Sequence, residues 1–237
     1  MGSAELLDRV RQLRIEGKSP KEIARALGLS PSAVAPLVRA VAASRSATTG
    51  EPEVVGCWVN AGWSRGLTVD ESRGWVDETP SQDGGQAGLV SVLVARKHRW
   101  DKVSMCGYLA DVYCLGVKNV LGPDITDDLA LRRFLPTFYS AYPDGWLDAP
   151  IELARHIVFG AVDYARSLGL EPVDDFAQAA GHLGAWEGPS AISFGKDGKP
   201  FYVSGPYDSP RQVIRTLERT VGPPPAFDFV VPAATLV

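Results

Sequence analysis

Residues 102–119, KVSMCGYLADVYCLGVKN, are apolar on both of their alternations. Val103, Met105, Leu109, Tyr113, Leu115 and Val117 share one parity with Asp111, whereas Cys106, Tyr108, Ala110, Val112 and Cys114 share the other. Side chains of a strand point alternately to its two faces, so a strand over residues 103–117 must be covered on both sides. The chain therefore has to build layers around it, and Asp111 becomes a carboxylate in a core. Such a group needs a partner, a metal, a raised pKa or a local distortion that exposes it. As a functional residue Asp111 is a general base or metal ligand; as a structural one it is satisfied by backbone amides, a Tyr hydroxyl or an Arg, and the structural role is the simpler expectation. Gly107 or Gly116 marks where a bulge can change the facing.

Strands are expected at 54–59 and 89–95, the second joined to the central strand by HRWDK, a connection short enough for an antiparallel pair. Residues 77–88, DETPSQDGGQAG, read as a turn-rich loop. Helical spacing follows at 127–140, 151–168 and 174–183, with Thr126 and Asp174 as N-caps, Pro150 at a first helical position, and Gly169 and Gly184 as stops. Residues 191–194 and 201–204 flank GKDGKP, whose Asp197-Gly198 pair predicts a hairpin. Ser209-Pro210 opens a last helix to about residue 221, and FDFVV suits an edge strand. This order predicts an α+β body over 54–237 with an antiparallel or mixed sheet and about four helices. No internal repeat is present.

The first fifty residues have another character. In SPKEIARALGLSPSAVAPLVRAVA, residues 19–42, Ser19-Pro20 and Ser30-Pro31 are two helix-start signals, with Gly28 between them able to take the positive φ of a sharp turn. Ile23, Ala24 and Leu27, then Val34, Leu37, Val38 and Val41, recur at helical spacing, and Leu6, Val10, Leu13 and Ile15 supply an earlier helix. Over residues 5–43 the pattern resembles the helix-turn-helix superfamily, closest to its resolvase-like and sigma-factor-like members. The resemblance implies a three-helix head over 1–43 with DNA as its partner, and 44–53 then serve as a flexible linker. Arg9, Arg14, Lys18 and Lys21 would meet phosphates, while Ser30, Ser32, Ala35 and Arg39 face the groove, Ala35 able to meet a thymine methyl. Two-fold pairing, a homodimer, is expected if palindromic half-sites are read.

Charge follows the same division. Residues 1–50 hold eight cations (Arg9, Arg11, Arg14, Lys18, Lys21, Arg25, Arg39 and Arg45) against four anions (Glu5, Asp8, Glu16 and Glu22). With a net charge of −4 for all 237 residues, that surplus of four leaves −8 on the remainder. A basic head on an acidic body suits phosphate contact by the head alone. Cys57, Cys106 and Cys114 have no CxxC spacing and read as buried thiols in a reducing cytoplasm. The N-terminus carries no apolar signal region, and the apolar run 105–117 is too short to span a bilayer. A cytoplasmic protein without membrane attachment is expected.

Catalytic signatures are sparse. Cys106 or Cys114 would need one of His98, His156 and His182 beside it to act as a nucleophile, and no nucleophile motif surrounds either. Glu152, His156 and Asp163 fall along one helical stripe flanked by Arg155 and Arg166, which reads as a solvated, salt-bridged face in preference to a metal site. Asp127-Asp128 and Asp174-Asp175 suit helix starts. GKDGKP lacks the spacing of a phosphate loop, and the aromatics Trp186, Phe194, Phe201, Tyr202 and Tyr207 fill a core or line a pocket. No metal or cofactor is expected. The leading expectation is a DNA-binding transcriptional regulator whose body senses a small-molecule or protein ligand, dimerises or docks. The alternatives are an enzyme using Asp111, Cys106 or His156 and positioned by the head, and a protein-interaction module that binds no DNA.

Overall fold

The computed structural model describes residues 6, 7, 9, 10, 12, 13, 18–30, 33, 34, 36–38, 41, 51–77 and 88–232. At its centre is a five-stranded antiparallel sheet of β1 (Val54–Asn60), β3 (Leu89–Lys97), β4 (Lys102–Asp111), β5 (Gly116–Asp127) and β6 (Trp146–Asp148), in the order β5-β4-β3-β1-β6. Strand parity sorts the core as expected along β4 up to Ala110, whereas Tyr113 and Val117, expected beside Val103 and Met105, pack instead with Cys106 and Tyr108. Cys57, Val59, Val90, Val92, Val94, Cys106, Tyr108 and Ala110 face α3 (Ile151–Ser167) and α4 (Phe176–Leu183). Leu93, Ala95, Val103 and Met105 face the opposite way, under Leu131 and Leu135 of α2 (Asp128–Phe138) with Tyr139 and Tyr142. The fold is thus α+β, with helices on both faces of one sheet.

α3 lies across the sheet because Leu153, Ala154, Ile157, Val158, Ala161 and Val162 form one apolar stripe. Fully burying such an aliphatic side chain contributes roughly 1.5–3 kcal/mol. Close approach fixes one glycine on the other face: a Cβ on Gly107 would lie 2.7 Å from Phe138.

The single strand expected over 103–117 is in fact two. β4 ends at Asp111, residues 112–115 turn, and β5 returns from Gly116 as its antiparallel neighbour. The turn residues are apolar because Val112 and Tyr113 join the main core and Cys114 a second one, so composition conceals the break. A bulge lies opposite Gly107, as expected, where Met105 pairs with Asp124 and Gly107 with Leu121. Helix starts shift by one residue: Asp127, not Thr126, caps α2 by accepting from Ala130 N–H at 2.8 Å, Asp175 precedes α4, and Pro150 is the N-cap of α3.

Two short sheets complete the body. Asp197 and Gly198 adopt the expected left-handed turn between Lys196 and Lys199, but the flanking segments do not pair with each other. β7 (Ile192–Ser193) joins β2 (Thr68–Val69) antiparallel, while β8 (Phe201–Val203) joins β9 (Asp228–Val230) in parallel. α5 (Pro210–Thr220) packs Val213 and Leu217 against Cys114, Leu168, Tyr202 and Phe227.

Near the N-terminus, α1 (Pro20–Leu27) is held by a reciprocal cap: Glu22 N–H donates to Ser19 Oγ at 3.3 Å and Ser19 N–H to Glu22 Oε2 at 2.7 Å. Gly28 ends it at φ 65°, and Leu29 N–H returns to Ala24 O at 2.9 Å. Ser30 caps the next helical residues by accepting from Ala33 N–H at 3.2 Å. Val10, Leu13, Ile23, Ala24, Val34 and Val41 are buried together around these elements.

Candidate functional site

The basic surface near the N-terminus is built on that small core. With Ile23 and Ala24 turned inward, α1 leaves Lys21 and Arg25 exposed, and Arg9, Lys18 and Ser30 are exposed as well. Arg14, Ser32, Ala35 and Arg39 lie outside the described residues, as do most of the linker and of the 77–88 loop. Contacts of the body begin within the expected linker, at Glu51.

Asp111, Cys106 and His156 occupy three different places. Asp111 is 5% exposed, and one of its oxygens accepts from the Tyr113 and Cys114 amides at 3.0 Å each. Burial pushes it up to about 6, against the pull of Lys118 and the turn amides. It is a carboxylate that closes the β4–β5 turn. Lys118 forms its own ion pair with Asp208 at 3.0 Å, and Asp208 also accepts from Gly205 N–H at 2.7 Å. Cys106 is fully buried beside Tyr108, and burial raises its thiol to about 11; Cys57 and Cys114 are likewise buried and raised. A thiol held protonated is a poor nucleophile.

His156 does not lie on a solvated face, because α3 turns it into a layer of aromatic rings. The ring centroids of Trp75 and Trp186 lie 4.9 and 5.0 Å from its own, and Phe159 stacks on Trp186 at 5.6 Å. Nδ1 accepts from Ala191 N–H at 2.8 Å, which leaves the proton of the neutral ring on Nε2. Burial, then Arg73, hold it below the usual histidine range against Glu152. Asp163 accepts from Trp186 Nε1–H at 3.0 Å. No group of three or more His, Cys, Asp or Glu among the described residues could hold a metal ion.

Sequence reasoning missed a charged cluster where the chain enters the body. Arg96, 2% exposed in β3, donates to His182 O and Pro52 O at 2.6 Å, Leu183 O at 2.9 Å and Glu51 at 3.1 Å. Arg155 of α3 reaches the same Glu51 oxygen at 2.7 Å, and Ala185 N–H donates to the other at 2.8 Å. Although burial pushes Glu51 up, that amide and the two guanidiniums bring it below the usual carboxylate range. No spacing rule connects residues this far apart; an Arg at a core position of β3 was the available signal.

A cavity of about 330 Å³ lies beside the loop after β2, walled by Leu67, Val69 and Trp75 with Ser64, Glu71 and Asp77. Asp77 already accepts from the Gly62 and Ser64 amides at 3.1 and 3.2 Å. Gly74, on its wall, comes close to the N-terminal helix: a Cβ there would lie 3.1 Å from that of Ser19. No helix of the described residues is long and apolar enough to cross a membrane. Comparison with protein-family models, with curated proteins and with solved structures returned no match.

Proposed function

We propose that the chain is a DNA-binding regulator whose three-helix head contacts the duplex and whose body senses a small ligand. What carries this reading is the geometry of residues 19–30 with Ala33 and Val34: a capped helix, a left-handed Gly28 and a second cap at Ser30, around Ile23, Ala24 and Val34. That is the turn a helix-turn-helix requires, and the exposed cations beside it supply phosphate contacts. The groove-facing residues Ser30, Ser32, Ala35 and Arg39 offer one long donor, which suits recognition led by duplex shape more than by base edges. Two copies would pair if half-sites are read. The cavity beside Trp75 is where the body would take its ligand, and the close approach of Gly74 to Ser19, which leaves little room for a Cβ, would give that ligand a route to the head.

Anisotropy titrations with a labelled blunt duplex of mixed sequence test the reading. If Arg9, Arg14, Lys18 and Lys21 neutralise about four phosphates, the logarithmic salt slope is near −3.6, or about 150-fold weaker binding at 200 than at 50 mM salt. Lys21→Glu should weaken binding and flatten that slope by about one. Absence of binding at low salt, or affinity indifferent to salt, refutes it.

A further inference from the structure

The turn joining β3 to β4 has a backbone that its residues do not favour. Lys102 N–H closes it onto Arg99 O at 3.3 Å, and the two central residues, Trp100 and Asp101, have φ of 63° and 55°. Turns with positive φ at both central positions ordinarily carry Asn-Gly or Gly-Gly. Asp tolerates this region; a bulky residue such as Trp is an outlier there. Burial does not compensate, because Trp100 is 89% exposed. An indole is thus held out in water on an unfavourable backbone.

Its neighbours are basic. Lys97, His98, Arg99 and Lys102 are all exposed around the indole, with Asp101 the sole acid of the turn, on a body that otherwise carries a net negative charge. Lys97 and Lys102 rest loosely on Glu53 at 3.6 Å and Asp127 at 3.4 Å, exposed pairs that a stronger anion displaces readily. Among the described residues no carboxylate pairs with Arg99. Lys97 N–H donates to Glu53 O at 2.7 Å, so the chain coming from the N-terminal helices enters the sheet at the base of this hairpin.

We propose that the β3–β4 hairpin tip is a second nucleic-acid contact, in which Trp100 stacks on an unpaired base while Arg99, Lys97 and Lys102 neutralise the flanking phosphates. An exposed aromatic face among cations is the composition of a single-strand stacking platform, and it tolerates any base. A lipid surface fits less well, since interfacial binding needs a continuous apolar face and charged residues flank this indole on both sides. An acidic peptide would satisfy the cations and leave the indole wet. The contact goes beyond duplex binding by the head and does not depend on it.

The test uses the full chain with labelled oligothymidine, a blunt duplex, and vesicles of phosphatidylcholine with phosphatidylserine. The wild type should bind oligothymidine, and Trp100→Ala should weaken that binding about five- to hundredfold, the range of one base–aromatic stack, with duplex affinity unchanged. Arg99→Glu should weaken it further. Trp100→Gly supplies the control for folding: it relieves the backbone, so it should raise Tm by a few degrees while losing oligothymidine as Trp100→Ala does. Failure of the wild type to bind oligothymidine at low salt, binding of oligothymidine by both Trp100 variants as tight as the wild type's, or dependence on Trp100 for vesicles alone overturns the proposal. Loss of duplex binding with the Trp100 effect intact refutes only the role of the head.

Discussion

Replacing Asp111 by Asn separates two contributions of one side chain. Its oxygen closes the β4–β5 turn by accepting from Tyr113 and Cys114, and an Asn amide oxygen can accept the same bonds. Its charge is the burden. An acid pushed by burial from an ordinary 3.8 up to about 6 is destabilised in its charged form by about 3 kcal/mol. The folded chain keeps this proton to higher pH than the unfolded chain, so stability is lost as pH rises from about 4 through 6, and the loss persists above. Asp111→Asn abolishes this dependence. It should match the wild type near pH 4 and exceed it by up to about 3 kcal/mol near pH 8. Urea unfolding of both proteins across that range gives the difference, in which His156, His182 and every other titrating group cancel. Asp111→Ala leaves two turn amides without their acceptor and should cost about 1–3 kcal/mol even near pH 4. A difference that does not change with pH, or that grows in favour of the wild type toward pH 8, refutes the reasoning. It would mean that Lys118 stabilises the carboxylate more than burial penalises it.

Gly107→Ala forces a methyl group to within 2.7 Å of the Phe138 ring and should destabilise by about 1–3 kcal/mol in thermal or urea melts, with Phe138→Leu restoring part of the loss. Glu51→Ala leaves Arg96 three carbonyl acceptors but no counter-charge, and a loss of about 1–3 kcal/mol is expected from urea unfolding at neutral pH. Because Glu51 lies below the usual carboxylate range, its stabilisation is present above the ordinary glutamate pKa and disappears as pH falls through the lowered one. Wild type and Glu51→Ala should therefore converge in acid.

Elements with local signals were legible in the sequence. Short apolar runs at 54–59 and 89–95 and helical periodicity at 151–168 place β1, β3 and α3 to within a residue or two, since β3 is buried on both faces and α3 buries one regular stripe. A turn closed by a side chain in place of the usual turn residues carries no such local signal. Asp111 does for the β4–β5 turn what Asn or Gly at its centre would announce, so in sequence the two strands look like one. β2 and β6, two and three residues long, are too short to show a period. Among site residues, the burial of Asp111 and Cys106 was legible from strand parity. The burial of His156 was not, because it depends on Trp75 and Trp186, which come from distant loops. The Glu51 cluster joins residues 45 and 104 positions apart, and no local rule sees across that separation. The length of the HRWDK connection was plain, but its left-handed Trp100 could be known only from the backbone.

The bulge in β5 has a bearing on how copies of this chain meet. β5 is twelve residues long and forms one border of the sheet, where a row of free amides and carbonyls would ordinarily recruit another strand. Val173 N–H already occupies Val117 O at one end. Midway, the bulge breaks the register, and Pro123 has no proton to offer. A second copy laid along this border would find its ladder interrupted after a few rungs. The molecule thus carries its longest strand at the rim of its sheet while keeping that rim unsuited to fibrous stacking.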